Sequence, residues 1–314
     1  MNSQIETWRV QQYAANVYHL AQQKGSKLAN LVRNEQFVGK AEFFDRLGLA
    51  IAQDKIGRNG DTPNLDLTHS KRMVTTITRE WGTLVDRKDK VQQIHMPENE
   101  YSVAAQNALG RKIDDVLLAA LNGTAKTGED GSGSAVLGNA QKVTSVASSA
   151  LAYANVQQLR KAKRLMDASQ VEGMRYIVHA ADYLEALLSQ TEVTSHDYNS
   201  VKALVSGDLD TFMGFKFIHC EQVNSILAAT YDTDDYHFNA TTGLYDAGGT
   251  DLLGTEKVAV ALIGDGLIYG KNPNMVARID ERADKGYSVQ VYAAIDCGAV
   301  RMEEAKVVQL VYKA

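Results

Sequence analysis

Few side chains in this sequence are spaced to do chemistry. The seven histidines, His19, His69, His95, His179, His196, His219 and His237, include no HxxxH or HxH pair, the spacings that bring two imidazoles to one face of a helix or strand. His219 and Cys220 are neighbours at the end of a stretch with strand character, so their side chains leave on opposite faces. They read as a packed strand end in preference to a metal site. Asp232, Asp234 and Asp235 resemble the opening of a calcium loop. His237 stands where that loop needs Gly, however, and Gly243 where it needs Glu. Gly264-Asp265-Gly266 follows an apolar run and reads as a turn. There is no GxSxG nucleophile elbow and no GxGxxG. The glycine-rich stretch 123–138 lacks the Gly-Lys-Ser/Thr of a phosphate loop and leaves a helix instead of entering one. Arg160, Lys161, Lys163 and Arg164 make one helix face basic. That face could bind phosphate, but a solvated or protein-facing surface is the favoured reading. No catalytic, cofactor-binding or metal-ligating residue is assigned, no cofactor is expected, and the chain is not expected to be an enzyme.

Composition narrows the remaining classes. The 314 residues carry 33 Lys+Arg and 38 Asp+Glu, for a net charge of −5. That balance excludes a histone-like coat on nucleic acid, which needs a strong positive excess. Hydrophobic content of 45% excludes bulk disorder. No run approaches 18 apolar residues, so no membrane span and no membrane partner are expected. Met1 to Arg9 has no basic start followed by an apolar segment, so no secretory signal is expected. The two cysteines, Cys220 and Cys297, make neither a disulfide framework nor a metal knuckle and suit a reducing cytoplasm. The average charge hides an asymmetry. From Glu221 to Glu256 there are seven acidic residues and no Lys or Arg, opposite in sign to the 160–164 face. Copies of the chain would attract one another through two such regions.

The order of elements carries more information. Tyr13, Val17, Leu20, Leu28 and Leu31 follow a broken three-to-four spacing, which predicts a thin, marginal helical arm over residues 1 to about 36. Gly57-Arg58-Asn59-Gly60-Asp61-Thr62-Pro63-Asn64 is a dense turn signal. The β-branched run from Met73 to Trp81 predicts a strand continuing loosely to Ile94. Together these suggest an extended β-loop with a charged tip and no core of its own. Pro97, Glu98 and Glu100 precede a strong helix over Tyr101–Asn122. Its predicted apolar stripe is Val103, Leu109, Ile113, Val116, Leu117, Ala120 and Leu121, with an Arg111–Asp115 pair on the other side and Gly123 as C-cap. Residues 123–138 read as a flexible surface loop. Asn155 is placed to cap a helix through about Ala168. Arg175–Val178, Phe212–Ile218 around Gly214, and Val258–Ile263 read as strands, and Asp182–Leu188 as a short helix. Ser288–Ile295 and Lys306–Tyr312 read as a final strand pair broken at Gly298.

This order resembles the major capsid (coat) proteins of tailed bacteriophages, the Hong Kong 97-like α+β fold. The nearest local likeness is Ala108-Leu109-Gly110-Arg111-Lys112-Ile113-Asp114-Asp115 running into Ala119-Ala120-Leu121-Asn122-Gly123-Thr124-Ala125, which is similar to the spine helix of such proteins and the exit after it. Tyr176–Leu188 and Gly207–Ile218 resemble the strand–helix and later strand of the axial domain, and Gly298–Val308 the returning strands of the peripheral domain.

The resemblance implies an N-terminal arm over 1–37 and an E-loop over 38–96. It implies a peripheral domain built from 97–145 and 263–314, and an axial domain over 146–262. It implies a subunit of hexamers and pentamers in an icosahedral phage head around nonspecifically held double-stranded DNA, made in the bacterial host cytoplasm and resident in the virion. Scaffolding, portal and decoration proteins are the other partners it suggests. Inter-subunit contacts are expected at Lys55, Arg58, Asn59, Asp61 and Asn64 on the loop tip. Charge contacts are expected between Arg160, Lys161, Lys163 and Arg164 and Asp232, Asp234 and Asp235. Some relatives form a Lys–Asn crosslink, and Lys55 and Lys71 lie near the loop, but no acceptor is identifiable and no crosslink is assigned. An encapsulin-like compartment shell is the alternative with the same fold, and an α/β enzyme with an unrecognised site is the alternative of another class.

Overall fold

The computed structural model describes residues 22–55, 57–58, 64–86, 97–147, 150–151, 153–190, 211–224, 237–239, 244–246, 256–272 and 276–313. The strands are β1 (Arg33–Gln36), β2 (Ala41–Leu47), β3 (His69–Thr75), β4 (Ile77–Val85), β5 (Ala125–Thr127), β6 (Gly133–Ala135), β7 (Lys142–Thr144), β8 (Val146–Ala147), β9 (Ala150–Leu151), β10 (Arg175–His179), β11 (Thr211–Phe212), β12 (Phe215–His219), β13 (His237–Asn239), β14 (Leu244–Asp246), β15 (Glu256–Ile263), β16 (Leu267–Lys271), β17 (Val276–Arg282), β18 (Ser288–Arg301) and β19 (Val307–Lys313). The helices are α1 (Pro97–Asn122), α2 (Val156–Ala168) and α3 (Ala181–Leu188).

Two apolar strands, β15 and β19, organise one half of the molecule. They pair antiparallel at the middle of a six-stranded sheet of order β11-β12-β10-β15-β19-β7. Side chains alternate across a strand, and here both faces are covered, so the runs are apolar throughout. Ala259, Ala261, Val308, Leu310 and Tyr312 face α2 and α3, where Leu159, Ala162, Met166, Tyr183 and Leu187 complete a buried cluster. Val258, Val260, Leu262, Val307 and Val311 face the other way, onto Leu117, Leu118 and Leu121 of α1.

α1 is the 26-residue spine, about 39 Å long at 1.5 Å per residue. Pro97 opens it, where a missing N–H costs nothing. Leu109, Leu117 and Leu121 are buried, as the stripe predicts, and Ile113, Val116 and Ala120 pack half-buried against the cluster that holds Leu117 and Leu121. Val103 is the exception at 46% exposed: toward the N-terminus the helix turns its contact to Ala105 and Leu109, which meet Ala293 of β18. One helix thus serves two sheets with two slightly rotated faces.

The second sheet is built on β18, a single 14-residue strand. Its N-terminal half lies between β17 and β4, and its C-terminal half pairs with β16, which carries β1 in parallel on its far side. The third sheet, β2-β3-β5-β6, projects as a hairpin.

Several sequence expectations are corrected. The helical arm is absent among the described residues: 22–32 form turns and 33–36 form β1, because backbone donors there bond to α1 and β16 in place of a helix ladder. The strand expected from Met73 onward is two strands divided at Thr76, with β3 in the hairpin and β4 in the β18 sheet. Residues 87–96 lie outside the described residues. The expected loop 123–138 contains the β5–β6 hairpin, which extends the projecting sheet through β3. Phe212–Ile218 is a tight hairpin, with Met213 and Gly214 both at positive φ, 54° and 86°. The last two strands are not a pair: β18 and β19 belong to different sheets.

Gly298 does not break β18. It pairs with Gly270 of β16, and a Cβ on Gly298 would lie 2.1 Å from the Thr75 carbonyl oxygen. A Cβ on Gly270 would lie 2.3 Å from Phe37. The glycine pair is a flat seat on which the chain crosses from β3 to β4, and Phe37, Val74, Ala125, Ile268 and Val300 close the cluster beside it. Gly298→Ala is expected to destabilise the unassembled protein by about 1–3 kcal/mol in chemical denaturation, because a backbone carbonyl must move. Gly138→Ala, where nothing lies within 4 Å, is the control and should stay within about 0.5 kcal/mol of wild type.

Candidate functional site

The residues considered for catalysis are not assembled into a site. His219 is exposed and Cys220 fully buried, on opposite sides of the strand end as expected. Burial first, and then the nearby Asp114 charge, pushes the Cys220 thiol up to about 11. Burial also raises the Cys297 thiol. Neither sulfur is a nucleophile at neutral pH. His219 Nε2 bonds Glu221 Oε1 at 2.7 Å, and the same oxygen accepts from the Ala181 amide at the start of α3. Burial alone would raise the Glu221 carboxyl, but these two bonds outweigh it and hold the group below its usual range. Gly264-Asp265-Gly266 is a 3₁₀ turn, with Gly264 beneath the Leu31 carbonyl. Among the described residues no group of three or more His, Cys, Asp or Glu is placed to hold a metal ion, and no helix is long and apolar enough to cross a membrane.

The features with unusual geometry are instead the ones that hold extended segments. The first is Asp114, fully buried on α1. Its carboxylate accepts from Gln23 Nε2, Ser26 Oγ, the Lys27 amide at 3.0 Å and the Leu28 amide at 3.1 Å. Ser26 Oγ also accepts from the Ala29 amide, so the arm curls around one side chain like a displaced helix cap. Gly110, one turn earlier, makes room: a Cβ there would fall 2.5 Å from the Gly25 backbone. Arg111 reaches Gln22 Oε1 and the Gln23 carbonyl, and Asp115 pairs with Lys112, so the expected Arg111–Asp115 pair is not formed. Leu28 and Val32 then bury against α1.

The second is Arg301, fully buried at the end of β18. Its guanidinium donates to the carbonyls of Leu121, Gly123 and Ala135 at 2.8, 2.9 and 3.0 Å. It therefore satisfies orphan carbonyls at the C-terminal end of α1 and holds β6. Glu304 lies 3.8 Å away and bonds Arg72 of β3 at 2.6 Å. Desolvation lowers both guanidinium pKa values, and Glu304 opposes that shift at each.

The third is the hairpin itself. Phe43, Leu47, Leu49, Ile51, Leu65 and Leu67 are exposed, with Leu49 at 89% and Ile51 at 70%. Lys55, Arg58 and Asn64 are also exposed, and Asn59 and Asp61 lie outside the described residues. On α2, Asn155 Oδ1 accepts from the Gln158 amide at 2.8 Å as the predicted N-cap. Arg160, Lys161 and Arg164 are exposed and Lys163 half-buried. Asp232, Asp234 and Asp235 lie outside the described residues.

A segment that needs clamps to stay on its own chain and an apolar hairpin left in solvent are features of a subunit, not of an isolated globule. Residues 5–314 match the family described as phage capsid protein. The chain belongs to that family. Its fold is the Hong Kong 97-like α+β fold, and it is a structural protein of a viral shell, not an enzyme. The capsid protein is similar to that of Ralstonia phage GP4, with a TM-score of 0.73 at 11% identity, covering 98% of this chain and 96% of the other. It is similar to the capsid of the cyanophage P-SCSP1u, with a TM-score of 0.69 at 13% identity over 99% and 94% of the two chains. It is similar to the acid-stable capsid of Helicobacter pylori bacteriophage KHP30, with a TM-score of 0.66 at 10% identity over 100% and 98%. None of the curated proteins matches. At such identities the likeness lies in the fold, and the Asp114 and Arg301 anchors rest on this chain's own geometry.

Sequence reasoning missed both anchors. Asp114 carried a signal, a carboxylate on the apolar side of a helix stripe. Asp114→Ala removes the acceptor for four donors and is expected to cost about 3 kcal/mol of arm docking. Tryptic cleavage after Lys24 and Lys27 should then rise about a hundredfold where opening precedes cleavage. Unchanged protection would mean that the burial of Leu28 and Val32 alone holds the arm.

Proposed function

We propose that this chain is the major capsid protein whose copies assemble into the hexamers and pentamers of an icosahedral phage head enclosing double-stranded DNA. The observation that carries the proposal is the hairpin: at its outer end Leu47, Leu49, Ile51, Leu65 and Leu67 are exposed. Monomeric proteins seldom leave so many large apolar side chains on one projection, whereas an interface between subunits removes them from water. At roughly 25 cal/mol per Å² of apolar area, covering several such residues contributes kilocalories per contact, repeated around the shell.

In this reading the arm is 1–37 and the E-loop 38–96, with β4 returning from the loop into the β18 sheet. α1 and the β18 sheet form the peripheral domain, from 97–145 and 263–314. The six-stranded sheet with α2 and α3 forms the axial domain, mostly from 146–262, and it borrows β7 and β19 from the two segments otherwise given to the peripheral domain. Lys55, Arg58, Asn59, Asp61 and Asn64 at the loop tip meet a neighbouring copy. Assembly takes place in the host cytoplasm, and scaffolding, portal and decoration proteins are the expected additional partners.

Expression followed by electron microscopy and sedimentation tests the proposal. Capsomers or shells are the expected outcome, and a compact 34.3 kDa monomer under all conditions overturns it. Deleting residues 57–66 should leave circular dichroism and the melting temperature of the unassembled protein unchanged while abolishing shells, because the tip adds contacts and no core. A deletion variant that fails to fold would show that the loop stabilises its own chain.

A further inference from the structure

β17 is the outermost strand of its sheet. It pairs with β18 on one side, and among the described residues no strand pairs with its other edge. All its residues are exposed except Arg282, which is half-buried. An open edge is a template for pairing with another chain, and proteins often blunt it with proline, a bulge or a very short strand. β17 has none of these: it contains no proline, and its register with β18 is unbroken from Val276 to Arg282. The direction of its free backbone groups follows from β18. Val289 pairs with both β17 and β4, and Cys297 with both β16 and β4, so β16 and β17 lie on the same side of β18. The Asp296 carbonyl accepts from the Asn272 amide just after β16 and so points to that side. The β4 register is unbroken from Val289 to Cys297, so backbone groups alternate regularly along this part of β18. Gln290, Tyr292 and Ala294 therefore turn their amides and carbonyls to Asp280, Arg278 and Val276. Those of Ala277, Ile279 and Glu281 turn outward. Val276, Arg278 and Asp280 border one shallow hollow with Gln290 and Tyr292, so they share a face of the sheet, and Ile279, 48% exposed, lies on the other.

We infer that the β17 edges of two copies pair antiparallel about a two-fold axis through Ile279, joining their sheets into one. The inference rests on the shell reading above and names a contact within it. In this register Ile279 meets its own copy and Ala277 meets Glu281, so every outward amide and carbonyl of β17 finds a partner. Arg278 stands opposite Asp280 of the second copy, and Asp280 opposite Arg278, as direct cross-strand neighbours on one face. Among the described residues neither side chain has a hydrogen-bond or ion-pair partner within its own chain. Moving the axis to Arg278, Asp280 or Glu281 sets a like-charge pair on it, and moving it to Ala277 leaves only Val276, Ala277 and Arg278 in overlap. The strand is thus complementary to itself, and a second copy of this chain is the partner that its charges select. A two-fold contact uses the same patch on both subunits, whereas neighbours within a ring of five or six meet through unlike patches. The β17 pair therefore joins subunits of different rings.

Charge reversal tests the register. Arg278→Asp sets aspartate opposite Asp280 at both ends of the pair, and Asp280→Arg sets arginine opposite Arg278. Each variant should fold normally by circular dichroism, form capsomers, and raise the protein concentration needed for shells about tenfold. Mixed in equal amounts, the two variants complement each other and should form shells at the wild-type concentration, which neither a folding defect nor a lost ion pair within one chain would allow. Ile279→Cys reads the same contact with both charges in place. Directly opposed residues of a hydrogen-bonded pair lie about 5.5 Å apart at Cα, within reach of a disulfide. Mild oxidation of Ile279→Cys shells should give covalent dimers on a non-reducing gel, and wild-type shells should give none, since Cys220 and Cys297 are buried. Shells of both charge variants at the wild-type concentration overturn the inference and leave the shell reading intact. So do variants that stay impaired when mixed, and Ile279→Cys shells that yield no dimer. Failure of the wild type to assemble at all overturns both.

Discussion

A buried guanidinium sits where the three parts of this subunit meet. Arg301 ends β18, satisfies the last carbonyls of the spine helix and holds the β5–β6 hairpin, while Glu304 beside it binds Arg72 at the base of the projecting sheet. A planar fork of donors is suited to this work, because it can address several carbonyls in fixed directions at once. Such a charge is costly to desolvate, and its burial is offset by the three carbonyls that the helix end and the β5–β6 hairpin deliver and by the Glu304 carboxylate 3.8 Å away. The hairpin is therefore fastened to the helix end and to the long strand, and its direction of projection follows from theirs.

The glycine seat at Gly270 and Gly298 acts on the same joint from the other side. It lets the chain pass from hairpin to sheet at backbone contact distance, so β3 and β4 can be nearly continuous in sequence and yet belong to different sheets. Arm, helix, strand and hairpin are each simple. What specifies the subunit is the small number of places where two backbones approach closely: Gly110 under Gly25, Gly264 under Leu31, and Gly298 under Thr75.

The sequence made some of this legible and hid the rest for physical reasons. The spine helix, the Asn155 cap and the apolar strand at 258–263 are local features, set by periodicity and by one capping side chain, and they stand where periodicity puts them. Gly298 was legible as special but was misread, since a glycine that admits a crossing chain and one that ends a strand look alike without the partner. The arm looked helical because Leu28 and Leu31 have helical spacing, yet that stretch is governed by Asp114, more than eighty residues away. The hairpin tip and the basic face were identifiable as polar and unsupported. Lys55, Arg58, Asn64, Arg160, Lys161 and Arg164 are exposed in the folded chain.

The Asp114 clamp also bears on the order in which the molecule can be made. The arm is synthesised first, but the side chain that fastens it lies 86 to 91 residues later. At ribosomal rates of about 5–20 residues per second, the arm exists for roughly 5 to 20 s before its anchor emerges, and longer before the anchor is helical. During that interval Leu28 and Val32 have no surface to cover. Residues 22–32 are thus made before the side chain that holds them and can dock only once α1 has emerged.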